Sequence, residues 1–195
     1  QGASPAAHRP AVAWRVGVWL ALAAVAMLFV GFTSAYLVRR QAPDWGGGLP
    51  VPPLLWVNTA VLAVSSAVLE AGRRRFASGA QGAGRALALA AATGLAFVAG
   101  QLRVWQELSA AGVYLASNPH SSFFYVLTGA HGLHVLVGVA WLLYAAVRVA
   151  RAGWAAPAPA GAGAQDLAAM VSACATFWHF MAGLWAFLFV LLFAV

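Results

Sequence analysis

Residues 122–147 read SFFYVLTGAHGLHVLVGVAWLLYAAV, and this stretch decides the fold. It contains no Asp, Glu, Lys or Arg and exceeds the roughly 20 residues that an α-helix needs to cross a bilayer. His131 and His134 interrupt it three positions apart, so they share one face of the predicted helix. Ionisable groups at membrane depth cost free energy unless a contact or a function uses them. These two histidines are therefore the first candidates for a functional site.

Four more apolar runs of similar length occur along the 195 residues. With 63% hydrophobic and 8% charged residues, the composition differs from that of a soluble domain. We predict an all-α, polytopic membrane protein with a single membrane domain at residues 14–195. The five transmembrane helices are expected at residues 14–38, 53–71, 85–106, 122–147 and 167–194.

The segments outside these runs are rich in small residues and proline. Residues 1–13 are expected to form a disordered, cytoplasmic N-terminus, and residues 152–165 a mobile linker. Small residues also recur within the second and third predicted helices, whereas large aromatic residues concentrate in the fourth and fifth. This division predicts a packed group of three helices and a separate, bulkier pair.

The net charge of +7 comes entirely from arginine, because the chain has no lysine. The arginines cluster between apolar runs, where they indicate topology and contact with anionic lipid rather than binding of nucleic acid. The side of the bundle that carries most of them is expected to face the cytoplasm. This assignment puts the N-terminus inside and the C-terminus outside, and the pair Arg39-Arg40 runs against it.

A third histidine, His179, stands in the motif Phe177-Trp178-His179-Phe180 of the last predicted helix. With His131 and His134, it could supply three nitrogen ligands to zinc or copper. Apart from Glu70 near the end of the second span, the predicted spans lack the carboxylate that usually orients a ligating histidine, and we consider no cysteine as a ligand beside them. We therefore expect no metal and assign the three histidines to packing, hydrogen bonding and lipid contact.

Arginines mark the cytoplasmic ends of two predicted helices. Arg148 ends the fourth, and residues 73–75, all arginine, end the second. A guanidinium group can fork onto a lipid phosphate, although positive residues at this depth also act as simple topology signals. Glu70 is spaced to pair with Arg73 or Arg74 at i+3 or i+4. The candidate lipid-binding residues are Arg73, Arg74, Arg75, His131, His134, Arg148, Trp178 and His179.

The motifs resemble a known family in the order in which they occur. The run from Thr128 to Val135 with Gly138, and Trp178-His179-Phe180 with Leu184-Trp185, resemble the fourth and fifth helices of subunit III of haem–copper oxidases in its short, five-helix bacterial form. The resemblance covers the chain from Trp14 to the end. It also includes these pieces of the first two helices: Trp19-Leu20, Ser34-Ala35-Tyr36-Leu37, Trp56-Val57-Asn58-Thr59 and Ser65-Ser66.

The resemblance implies an accessory subunit rather than a catalytic one. Such subunits form a V-shaped bundle with a lipid-filled cleft beside subunit I of cytochrome c or quinol oxidases, which reduce O₂ to water and pump protons. Haem and copper are expected in partner subunits and bound phospholipid in this chain, with Arg148 holding a headgroup. Further expected partners are subunit II, small subunits and a respiratory supercomplex. The expected location is the bacterial inner membrane.

Two positions depart from the family pattern. Many members carry an acid in the first of these helices, where this chain has Ala24 and Val25, and an aspartate where it has Ala182. A proton-antenna role that depends on those acids is therefore not expected. Two alternatives remain open at this stage. One is an accessory protein of nitric oxide reductase with the same fold, and the other is a small metal or solute transporter that uses His131, His134 and His179.

Overall fold

The computed structural model describes residues 5–46, 48, 50–152 and 162–193. This part of the chain forms five long helices, each apolar enough to cross a membrane. The prediction of an all-α protein with five transmembrane helices is confirmed. The helices are α1 (Pro5–Arg39), α2 (Pro53–Ala77), α3 (Ala83–Ala110), α4 (Pro119–Arg151) and α5 (Ala162–Phe193).

Most helices are longer than the apolar runs that predicted them. α1 begins at Pro5, so residues 5–13 are helical, and the expected disorder is wrong for this part; residues 1–4 lie outside the described residues. Proline suits a first helical turn, and alanine has the highest helix propensity, so local preference extends the helix beyond its apolar part. Likewise, α5 already includes residues 162–165 of the expected linker, while residues 153–161 are outside the described part.

Capping side chains and glycine set two of the inner boundaries. Asn118 forms a capping box with Ser121, and Pro119 occupies the first turn, so α4 begins three residues before its apolar run. Gly82, with a φ of +89°, precedes α3 and allows a short turn after α2. Hydropathy reports only the part of a helix that lies in hydrocarbon, whereas caps and glycines mark where the helix itself ends.

Helices α2 to α5 form a closed bundle, and α1 packs against the outside of this bundle. α2 packs on α3, α3 on α4, α4 on α5, and α5 returns to α2. α1 packs mainly on α5 and meets α4 through ring contacts such as those of Trp14 with Trp141 and Tyr36 with Phe123. Among the described residues, its backbone approaches neither α2 nor α3. The expected division into a three-helix group and an aromatic pair is wrong. α1 and α2 both pack on α5, but their backbones do not approach each other in the described part of the chain. The gap between them is the feature most similar to the V shape that the resemblance implied.

Small residues of one helix receive the large aromatic residues of another, which is why the two groups do not separate. The Trp178 ring of α5 rests against Gly94 of α3 and Gly138 of α4, and a Cβ atom added at Gly94 would collide with it. Polar groups join the same helices. Ser65 donates a hydrogen bond to the carbonyl oxygen of Ala90 at 2.9 Å. Such close approach and interhelical hydrogen bonding stabilise helices in lipid, where apolar burial contributes little.

Candidate functional site

The three histidines of the sequence motifs bond to separate partners. His131 Nε2 donates to the carbonyl oxygen of Met181 at 3.0 Å. His134 Nδ1 donates to the carbonyl oxygen of Ala130 at 2.7 Å, within its own helix. His179 Nδ1 is hydrogen bonded to Ser66 Oγ. Among the described residues, no group of three or more His, Cys, Asp or Glu side chains is arranged to hold a metal ion.

Burial divides the residues that the sequence assigned to lipid contact. His131 and Trp178 are both 0% exposed, so neither side chain reaches the outer surface of the chain. They fill the space between α3, α4 and α5 instead, and His131 is flanked by the rings of Phe97 and Trp185. His134 and His179 keep partly exposed surfaces. Lipid contact by these two histidines stays a prediction.

Glu70 is the centre of a charged cluster near the end of α2. It accepts hydrogen bonds from Arg73 Nε at 2.8 Å and Nη2 at 2.7 Å, and from Arg74 Nε at 2.8 Å. The predicted pairing is thus confirmed with both arginines. His179 Nε2 lies 3.6 Å from the same carboxylate, and Ser66 holds the other nitrogen of that ring. The cluster joins α2 to α5, and the sequence alone did not reveal the part of His179 in it.

Arg148 belongs to a second cluster, which joins α4, α5 and α1. Its Nη1 donates to the Tyr144 hydroxyl at 2.7 Å, and its Nη2 lies 3.8 Å from Asp166 Oδ2. Asp166 also accepts a hydrogen bond from Trp14 Nε1 at 2.8 Å. Sequence reasoning missed Asp166, because its partners Trp14 and Arg148 lie on other helices and no local spacing links them to it.

The third arginine of the 73–75 run differs from its neighbours. Arg73 and Arg74 are bound to Glu70, whereas the guanidinium group of Arg75 has no hydrogen bond or ion pair within the described residues. It lines a cleft between α2 and α3 together with Arg85. The three arginines therefore have different capacities to bind an external anion, a distinction that their adjacency in sequence hides.

A further polar contact fixes the loop after α1 at the opposite end of the bundle. Arg39 donates to both carboxylate oxygens of Asp44, at 2.7 and 2.6 Å. These bonds hold the pKa of the Asp44 carboxyl below its ordinary value. Trp45 stacks on the His120 ring at a centroid distance of 5.1 Å, and the ring of Tyr36 meets Trp45 edge-on. The loop is thereby tied to the start of α4.

Comparison with known proteins gives one consistent result. A family model described as cytochrome c oxidase subunit III matches residues 2–195. Cytochrome c oxidase subunit 3 of Synechocystis sp. is 33% identical over 183 residues, which cover 91% of this chain and 73% of that protein. The corresponding subunit of Thermostichus vulcanus is 30% identical, with 91% and 85% of the two chains covered.

A quinol-oxidising relative matches as well. Cytochrome bo(3) ubiquinol oxidase subunit 3 of Pseudomonas aeruginosa is 30% identical over 177 residues, which cover 89% of this chain and 80% of that protein. The family resemblance of the motifs is therefore confirmed over almost the whole sequence. The chain belongs to the cytochrome c oxidase subunit III family.

Proposed function

We propose that this chain is an accessory, lipid-holding subunit of a bacterial haem–copper oxidase and carries no redox centre of its own. Membership of the subunit III family is the observation that carries the proposal. Haem and copper belong to partner subunits, and the complex reduces O₂ to water and pumps protons. The matched relatives include both cytochrome c and ubiquinol oxidase subunits, so the proposal does not extend to the electron donor.

Subunit I is the proposed main partner, with subunit II, small subunits and a respiratory supercomplex as further ones. A multi-pass location in the bacterial inner membrane follows, with the N-terminus cytoplasmic and the C-terminus outside. Many large apolar side chains of α1 face outward, among them Trp19 at 64% and Met27 at 73% exposure. Such a surface suits lipid or the apolar face of another membrane subunit. The proposal includes no proton-antenna role, because Val25 and Ala182 stand where many family members carry acids.

Arg148 is the residue proposed to hold a phospholipid headgroup. Its side chain is 39% exposed, and it makes one hydrogen bond, to Tyr144, while Asp166 stays at 3.8 Å. Arginine carries five N–H donors, so most of them remain available to phosphate oxygens. A bound phosphate would share the guanidinium group with Asp166, which lies on the protein side of it.

The subunit assignment is tested by purification of the complex from membranes through a tag on this chain. We expect a haem–copper subunit to copurify in equal amount, detected by its haem spectrum and by mass spectrometry. Isolation of the chain without such a subunit would sink the proposal. The relatives bear oxidase names, so neither the nitric oxide reductase alternative nor the transporter alternative receives support.

The lipid role is tested by Arg148→Ala in the purified complex. We expect loss of about one phospholipid per complex with modest residual oxidase activity, because the phosphate loses its charged partner. Arg103→Ala is the matched control, since Arg103 is exposed, lies near the other end of the bundle and, within the described part of the chain, forms a side-chain hydrogen bond with Gln106 alone. An unchanged lipid content would remove the lipid role and leave the subunit assignment intact.

A further inference from the structure

A second basic cleft lies at the turn between α2 and α3. Arg75 stands two residues before the end of α2, and Arg85 lies in the first turn of α3. Together with Gln81 they line a cleft of about 580 Å³. Neither arginine side chain has a hydrogen bond or an ion pair among the described residues, and both residues are exposed. The neighbouring Arg73 and Arg74 are held by Glu70.

The walls of the cleft become apolar away from the turn. Val68, Ala71 and Leu89 line it on the side of the membrane interior. Val68 precedes Arg75 by seven residues, about 10 Å along the helix, and Leu89 follows Arg85 by four, about 6 Å. The turn makes α2 and α3 run in opposite directions, so both walls lead from the charged mouth into the bilayer. The cleft thus has the polarity of an amphiphile with an anionic head.

We propose that this cleft binds one anionic phospholipid, with its phosphate between Arg75 and Arg85 and an acyl chain along Val68 and Leu89. Two unpaired guanidinium groups can each donate paired hydrogen bonds to phosphate oxygens. The turn lies on the side predicted to be cytoplasmic, where anionic lipid attracts basic residues. The site is on α2 and α3, apart from Arg148, so either site can fail without the other.

The purified oxidase complex in nanodiscs tests this site. The probes are phosphatidylglycerol and phosphatidylcholine, and native mass spectrometry counts the retained lipid. We expect Arg75→Gln and Arg85→Gln each to lower the preference for phosphatidylglycerol about fivefold, the effect expected of one basic residue near an anionic surface. Arg74→Gln is the matched control, because it removes one positive charge from the neighbouring position. We expect it to leave the preference for phosphatidylglycerol unchanged, since Arg74 is bound to Glu70.

Two further arms separate a lipid from a free anion. Leu89→Asn is expected to reduce retention of phosphatidylglycerol without any change of charge, because it places an amide against the acyl chain. Inorganic phosphate is expected not to displace the lipid. The proposal would be overturned if the double variant of Arg75 and Arg85 retained phosphatidylglycerol, or if Arg74→Gln lost as much preference for it as Arg75→Gln. It would also be overturned if Leu89→Asn retained phosphatidylglycerol fully, or if inorganic phosphate displaced it. Arg148→Ala is expected to keep this lipid.

Discussion

The α2–α5 bundle and α1 solve the same problem of stability in lipid in different ways. Within the bundle, side chains of one helix bond to another: Asn58 donates to the carbonyl oxygen of Phe97, and Trp185 Nε1 donates to Thr59 Oγ1 at 2.9 Å. α1 is joined to α5 by an interhelical side-chain hydrogen bond from Trp14 to Asp166. Otherwise it packs on α5 and α4 through apolar and aromatic contacts.

The difference shows which helices depend on close packing and interhelical hydrogen bonds for their stability. Apolar burial drives helices together only weakly in hydrocarbon, so tight fit and polar bonds must hold the bundle. α1 leaves much of its surface outside, and lipid or a partner subunit can cover that surface without loss. We therefore expect substitutions in the bundle to act on the stability of the chain itself, and substitutions on the outer face of α1 to act little on it.

The largest contrast is expected between two tryptophans. Trp178 is 0% exposed, so Trp178→Ala should open a cavity and lower the free energy of unfolding by about 3–5 kcal/mol. Trp19 of α1 is 64% exposed, and Trp19→Ala should change it by less than about 0.5 kcal/mol. Reversible unfolding in mixed micelles measures both. Equal losses would contradict the division between bundle and outer helix.

A smaller contrast is expected between two glycines. A Cβ at Gly94 would collide with the Trp178 ring, so Gly94→Ala should cost about 1–3 kcal/mol through displaced packing. Gly17 of α1 has no atom within 4 Å of such a Cβ. Gly17→Ala should therefore cost nothing and gain from the higher helix propensity of alanine. The same unfolding measurement applies, and a tolerated alanine at position 94 would show that Trp178 can move aside.

The smallest effect concerns the outer end of α1 and depends on pH. Because Arg39 lowers the pKa of Asp44 in the folded chain, this contact contributes stability above the ordinary carboxyl pKa of about 3.9 and loses it as the pH falls below that value. Trp45 lies next to the contact, so its fluorescence should change in that acidic range. Asp44→Asn should abolish the change. A transition that persists in this variant would assign it to another group.

Sequence reasoning succeeded where the controlling physics is local. The thickness of the bilayer sets the length of apolar sequence that a spanning helix needs, so the hydropathy of the chain predicted the number and the order of the transmembrane helices. The Glu70 ion pairs followed from i+3 and i+4 spacing on one helix. Family membership followed from ordered motifs around His131, Trp178 and His179.

Contacts between distant positions stayed out of reach. Trp14 and Asp166 are 152 residues apart, and Ser66 and His179 are 113 apart, so only the packing of helices reveals either pair. The same reason explains why the burial of Trp178 could not be predicted. An aromatic residue in an apolar run gives no sign of which helix face it occupies. The space that Gly94 and Gly138 leave for the Trp178 ring exists only when α3 and α4 pack side by side, so the sequence does not reveal it.

The docking of α1 on α5 has a consequence for biosynthesis. A growing chain emerges from the ribosome in sequence order, so α1 enters the membrane while its principal neighbour has not yet been made. Three intervening spans must be inserted before that neighbour arrives. A helix satisfies the hydrogen bonds of its own backbone in lipid. Since the outer face of α1 is apolar as well, this helix is stable in the bilayer before α5 is present. α1 can therefore complete its packing only after α5 has been inserted.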